Sequence, residues 1–225
     1  METLSKKHNI ARFHFSDSLL NSSEEWLEEF INRLEVSDQK FLWQGYFRAE
    51  MGEDLIHRMK KVGLSGATLG VESFSQKVLN KMNKKKDRPE ILDTIHFLIE
   101  NNISIFINLF VGYPGENEED FMDTLVVAND LYKEFKTKNK FEFFNLTTRN
   151  FQMRPFSTVY NAHQKFGLEA DNWESYFSEE FYPTELENVF KKTLYSFKVN
   201  DVPLSETHHR LFLINQLKSK VRVKG

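Results

Sequence analysis

The sequence has no cysteine among its 225 residues. Disulfides are thereby excluded, although their absence does not report the redox compartment, because it does not say whether one would be tolerated. No apolar run approaches the roughly 20 residues that cross a bilayer, and the N-terminus lacks a signal-peptide apolar region. The expected location is therefore cytoplasmic, with no membrane partner. Neither sign of charge dominates: 30 Lys and Arg against 33 Asp and Glu leave a net charge of −3. That is too little for a global field that draws in nucleic acid, and none is expected as a partner. The basic run over residues 81–88 is expected to be a solvated surface between helices. GxSxG, P-loop and GxGxxG patterns are missing too, which removes sequence support for hydrolase, nucleotide-phosphate and dinucleotide chemistry.

What is present is an ordinary globular composition, 40% hydrophobic and 28% charged, in a chain long enough for one domain with a sizeable core. Residues 41–124 read as three successive strand-to-helix units. The apolar runs 41–47, 67–71 and 103–111 each end in a polar or glycine-bearing cluster: Arg48-Ala49-Glu50, Gly70-Val71-Glu72-Ser73 and Gly112-Tyr113-Pro114-Gly115-Glu116. In parallel β/α architectures the loops after the strands open on one face, so these clusters converge on a single ligand. Around them the pattern predicts a strand over 10–15 and an amphipathic helix capped by Ser22 or Ser23, with Trp26, Leu27, Phe30, Ile31 and Leu34 on its face. Helices follow over 52–62, stopped by Gly63, then over 75–82 and 89–101. Strand 103–111, apolar almost throughout, reads as buried on both faces. A helix over 118–135, a strand over 141–151, and helices over 159–166, 184–197 and 206–220 complete the reading.

Several residues are candidates for chemistry. Glu72 and Ser73 stand between a strand and a helix, where a carboxylate binds ligand hydroxyls or an ammonium, or caps the helix. Arg48 and Glu50, two apart at a strand end, share a face and either grip a ligand carboxylate or pair at the rim. Asn108 and Asn145 are inward-facing polar groups within strands. The glycines of the 112–116 cluster, with Pro114 between them, permit close backbone approach to a ligand, or serve a tight turn. His208 and His209 diverge by about 100° on a helix and suit one metal poorly.

These clusters are similar to those of the radical S-adenosylmethionine (SAM) family. Residues 41–50 resemble its third barrel strand, residues 69–73 with Val78-Leu79-Asn80-Lys81-Met82-Asn83-Lys84 its fourth strand and following helix, and Phe110-Val111-Gly112-Tyr113-Pro114-Gly115-Glu116 its fifth. Phe13-His14-Phe15-Ser16-Asp17-Ser18 resembles the second strand of the subgroup that often carries a cobalamin-binding domain, and Arg154-Pro155-Phe156-Ser157-Thr158-Val159-Tyr160 its barrel-closing segment. The resemblance covers about residues 8–177. It implies an α/β fold, a partial TIM-like (β/α) barrel over 1–177 with a helical extension of the same domain over 178–225. It also implies a [4Fe-4S] cluster held by a CxxxCxxC loop, which this chain does not contain. Because residues 1–9 resemble the end of the first barrel helix, the first β/α unit and its cysteines are expected to be absent, through a truncated gene, a split protein or a fragment.

The resemblance assigns roles as well. Ser16, Asp17 and Ser18 fall where relatives hold the SAM amino group, Glu72 near its ribose or methionine end, Lys84 where some place a cation for its carboxylate, with Lys81, Lys85, Lys86 and Arg88 as rivals, and 112–116 beside its adenine. Intact relatives cleave SAM to an adenosyl radical; cobalamin-linked ones commonly transfer methyl groups or rearrange substrates. For this chain alone neither a cluster nor SAM is expected to be tightly bound, and cobalamin would require a separate domain. The expected partners are a small-molecule or peptide substrate and a complementary N-terminal segment or subunit. The alternative is a non-catalytic degenerate barrel serving as a binding or partner subunit.

Overall fold

The computed structural model describes residues 1–151, 158–166, 168–170, 197–199, 210, 213 and 214. In chain order these form α1 (Glu2–His8), β1 (Arg12–His14), α2 (Glu24–Glu35), β2 (Leu42–Phe47), α3 (Glu53–Lys61), β3 (Leu64–Glu72), α4 (Gln76–Lys81), α5 (Arg88–Glu100), β4 (Ser104–Val111), α6 (Glu118–Thr137), β5 (Phe144–Asn150), α7 (Thr158–Asn161), β6 (Leu168–Ala170) and β7 (Phe197–Val199). The first five strands make one wholly parallel sheet in sequence order, each strand pairing with the next. This is a five-stranded portion of a TIM-like barrel, and every strand points its C-terminal end to the same edge.

Local signals set the helix boundaries. At α2 the Ser23 hydroxyl accepts the Trp26 N–H at 3.2 Å, with Glu24 and Glu25 in the first turn. Asp87 with Glu90 and Asn117 with Asp120 form reciprocal capping boxes that start α5 and α6. Gly63 reverses the chain between α3 and β3 at φ 95°, and a Cβ there would lie 1.8 Å from the Phe41 carbonyl oxygen. Only glycine fits so close an approach.

One face of the sheet carries the core. Trp43, Phe47, Leu69, Val71, Ile105, Ile107 and Leu109 pack with Leu27 and Ile31 of α2, Ile56 and Met59 of α3, Ile95 and Leu98 of α5 and Leu131 and Phe135 of α6. The opposite face is open and mixed: Gln44, Tyr46, Thr68, Phe106, Asn108 and Thr147 are exposed or half-buried, with Tyr46 at 37% and Phe106 at 41% exposure. Here the expectation of a strand buried on both faces is corrected. Among the described residues the helices cover one face only, so β4 alternates although its sequence does not.

Two further differences concern the later elements. Residues Phe141–Phe143 form a 3-10 turn, not the start of a strand. Beyond the barrel strands, β6 and β7 pair antiparallel in a region where the sequence predicts no strand, and the expected helix over 159–166 is divided into α7 and a 3-10 turn at His163–Phe166. Most of the barrel-closing segment, of the helices expected over 184–197 and 206–220, and His208 and His209 lie outside the described residues.

Candidate ligand site at the strand ends

At the end of β3 the register slips by one residue: Gly70 pairs with Asn108 but Glu72 with Leu109, leaving Val71 as a bulge. Glu72 then adopts φ 73°, a left-handed conformation that costs a residue with a Cβ roughly 1–2 kcal/mol. Strain of this kind is held only where the surroundings over-determine it, which is common at functional sites. The Glu72 carboxylate is largely buried. Its Oε1 lies 3.8 Å from Lys84 Nζ, while Oε2 is buried with no hydrogen-bond partner among the described residues. Burial pushes its pKa up, and the Lys84 charge opposes that rise. Lys84 also donates to the Gly70 carbonyl at 2.9 Å. A Cβ on Gly70 would come within 3.0 Å of Glu72 Oε1, so the glycine leaves room for the carboxylate. Ala49, Glu50, Gly70, Lys84, Lys86 and Ile91 line a small depression beside it.

The neighbouring strand end, after β4, is the 112–116 turn. Gly112 and Gly115 sit at φ 80° and 78°. Glu116 folds back, its Oε2 accepting the Gly112 N–H at 2.7 Å, and its own N–H donates to the Tyr113 carbonyl at 2.8 Å. Burial pushes the Glu116 carboxyl up to about 7, against the lowering effect of the Gly112 N–H and Arg210. Arg210 Nη1 reaches the same Oε2 at 3.4 Å, and its Nη2 reaches Glu118 at 3.2 Å. From the other side Lys81 Nζ donates to the Gly115 carbonyl, and the Tyr113 hydroxyl meets the Lys81 carbonyl at 3.4 Å. The basic run is therefore only partly a solvated surface. Lys81 and Lys84 tie the end of α4 to both turns.

Beneath the two turns runs a buried polar network. The Ser73 and Thr124 hydroxyls are 2.9 Å apart, the Phe74 N–H donates to Thr124 Oγ1 at 3.1 Å, and the Ser75 hydroxyl donates to Asp120 at 2.9 Å. Ser73 is thus fully buried and faces α6.

The other candidates are placed as follows. Ser16, Asp17 and Ser18 are exposed in the loop after β1, two strands away from Glu72. Arg48 lies one residue beyond β2, so strand alternation no longer governs it. Its N–H donates to Asn21 at 2.8 Å, and no ion pair joins it to Glu50 among the described residues. Asn108 is on the open face, and Asn145, also there, donates to the Ile105 carbonyl at 3.3 Å. The structure thus gathers Glu50, Glu72 and Lys84 around Gly70, with Pro114 and the rest of the 112–116 turn on the adjacent strand end. Sequence reading missed Asp120, Thr124 and Arg210, and it had Lys81 only as a rival to Lys84, without its contact to the 112–116 turn. Arg210 contacts Glu116 across 94 residues, a separation that leaves no local pattern.

The comparisons with known proteins agree with this geometry. The Radical SAM superfamily profile matches residues 11–128, more than half of the chain. Among curated proteins, the tRNA-2-methylthio-N(6)-dimethylallyladenosine synthase of Clostridium tetani is 34% identical over 98 residues, 42% of this chain and 21% of that protein. Its counterpart from Rickettsia felis is 40% identical over 80 residues, 34% of this chain and 18% of that protein. The chain spans about a fifth of the length of these relatives. Among solved structures, the radical SAM methyltransferase TsrM of Kitasatospora setae, with cobalamin and a [4Fe-4S] cluster bound, superposes with a TM-score of 0.57 at 16% identity, covering 76% of this chain and 35% of that one. Coproporphyrinogen III oxidase (HemN) of Escherichia coli gives 0.53 at 15%, covering 92% and 40%. These two share the fold. Since the profile match runs from the loop before β1 into α6, contains β3 and β4 with the turns that follow them, and covers more than half of the chain, the chain belongs to the radical SAM superfamily.

Proposed function

We propose that this chain is the SAM-holding part of a radical SAM protein acting on a small-molecule or peptide substrate. The observation that carries the proposal is Glu72, strained at φ 73° with a buried Oε2 that no group among the described residues satisfies. An unpaired buried acceptor costs about 1–3 kcal/mol, and a ribose hydroxyl or an ammonium would satisfy it. SAM offers both. In this reading Glu72 receives the ribose hydroxyls, the glycine backbone of 112–116 lies along the adenine, and Lys84 balances the charge of the carboxylate end. Ser16, Asp17 and Ser18 belong to the same proposal as contacts for the amino group, as do Arg48, Glu50 and Asn108 as groups facing the ligand. When bound, SAM supplies the hydrogen-abstracting radical chemistry of the superfamily.

The cluster fits this chain differently. Its irons need soft anionic ligands, and a chain without cysteine offers no thiolate. No step is assigned to a cluster on these residues, and the thiolates are proposed to come from a complementary segment or subunit. Lys81 and Lys84 are taken up by the main-chain carbonyls of Gly115 and Gly70, which supports a small substrate over a nucleic acid. Because SAM is an intracellular metabolite, the proposal places the protein in the cytoplasm. Amide shift mapping with SAM on the labelled chain tests it. Perturbations centred on Glu72 and Gly112 are expected; perturbations confined to other surfaces, or none at millimolar SAM, would overturn it.

A further inference from the structure

Arg210 is a guanidinium shut away from water, its side chain 2% exposed, and it pairs with a carboxylate that is 1% exposed. A buried pair of this kind contributes little net stability, but it enforces one arrangement, because either member alone is an uncompensated charge. The arrangement enforced here is that of the ligand turn. A single oxygen, Glu116 Oε2, takes both the Gly112 N–H at 2.7 Å and Arg210 Nη1 at 3.4 Å. The guanidinium lies over the Phe121 ring at 5.4 Å and holds Glu118 with its other nitrogen. Ile214, one helical turn further on, is fully buried against Val111 and Phe121. Among the described residues, the charged groups that meet Glu116 are Arg210 and, more remotely, Asp120. At its far end the same turn is held independently by Lys81 through the Gly115 carbonyl.

We propose that Arg210 is the positioning residue of the 112–116 turn, acting through Glu116 to hold the Gly112 backbone where it receives the adenosyl end of the ligand. The proposal rests on the reading of that turn as a ligand contact and adds what sets its shape. Without Arg210, the Glu116 carboxyl favours its protonated form more strongly, accepts the Gly112 N–H less strongly, and releases the end of the turn that Lys81 does not hold. Arg210 touches no ligand in this account.

The test uses the full chain with Arg210→Lys, Arg210→Met, Glu116→Gln and the double variant Arg210→Met/Glu116→Gln. Two quantities are read: hydrogen exchange of the Gly112 amide across pH 5–9, and affinity for S-adenosylhomocysteine by NMR titration. Arg210→Met should speed Gly112 exchange and weaken the ligand, each by about tenfold, the equivalent of about 1.4 kcal/mol, and should move the pH midpoint seen at Gly112 upward. Arg210→Lys, which folds with a charge in place, should recover part of both. In the Glu116→Gln background, Arg210→Met should add less than about twofold, because residues acting through one another are not additive. Equal penalties in the two backgrounds, or a Gly112 amide indifferent to Arg210→Met and Arg210→Lys, would overturn the proposal. If the unaltered chain does not bind S-adenosylhomocysteine, the ligand reading of the turn fails, and the Gly112 exchange still decides whether Arg210 sets its shape.

Discussion

Lys84 and Glu72 face each other across 3.8 Å at the end of β3, and the lysine lies no further from the neighbouring Gly70 carbonyl than 2.9 Å. One cation thus fixes the backbone of a bulge and the charge of the residue that the bulge strains. Burial raises the Glu72 pKa above the ordinary carboxylate value and Lys84 restrains the rise. The folded state therefore holds that proton more tightly than the unfolded one. Stability from this group falls as pH climbs from the unfolded value through the folded one. Lys84→Met should widen that window. It should cost roughly 1 kcal/mol at pH 8 and less at pH 5, the partial exposure of the pair keeping the figure small. Urea unfolding at the two pH values checks the sign; an equal cost at both would remove the coupling.

Thr124 serves three partners at once, accepting the Phe74 N–H, meeting the Ser73 hydroxyl and donating to the Asp120 carbonyl. Thr124→Val keeps the volume and strands the Phe74 N–H in a dry site, leaving the Ser73 oxygen with the Ser75 N–H, so a loss of about 1–3 kcal/mol is expected. Thr137→Val, at an exposed hydroxyl bonded to the Lys133 carbonyl, is the control and should fall within about 0.5 kcal/mol of no change. Chemical denaturation of both variants decides whether the network beneath the turns is structural.

Positive-φ glycines should differ in cost. Gly115→Ala brings left-handed strain of roughly 1–2 kcal/mol, and the close atom, Lys81 Nζ at 2.7 Å, ends a flexible chain that can shift. Gly63→Ala adds a collision with backbone, the Phe41 carbonyl oxygen, and should destabilise by clearly more than Gly115→Ala. Unfolding midpoints ranked in the reverse order would mean that the α3–β3 reversal can relax.

The period-2 and helical patterns, the Ser, Asp and Asn caps and the glycine stops are local, and the five strands and the helices between them were accordingly legible in the sequence. The placement of 112–116 at a strand end was legible for the same reason. The open face was not, since Phe106 and Phe110 are apolar and nothing local says that the described helices cover only one side. Nor were the contacts of Lys81 and Arg210. A lysine in a basic run carries no sign of the carbonyl it meets 34 residues away, and the Arg210–Glu116 pair exists only through tertiary packing. The left-handed Glu72 was hidden because glycine and asparagine are the residues that announce that conformation.

Anaerobic reconstitution with iron and sulfide should yield no stable [4Fe-4S] cluster on this chain, since no residue supplies a thiolate. Absorbance and iron content after desalting measure it. A near-stoichiometric cluster that survives desalting would show that other side chains suffice.

The account rests most directly on the Glu72 carboxylate as a ligand acceptor, and an NMR-monitored titration with SAM of the unaltered chain, Glu72→Gln and Glu72→Ala tests it. Lacking metal ligation, the unaltered chain should bind more weakly than about 100 μM yet saturate within the millimolar range. Loss of a charged hydrogen bond, about 1.5–3 kcal/mol, should abolish saturation in both variants while their folds persist. Saturation of Glu72→Ala at the same SAM concentration as the unaltered chain would contradict the account.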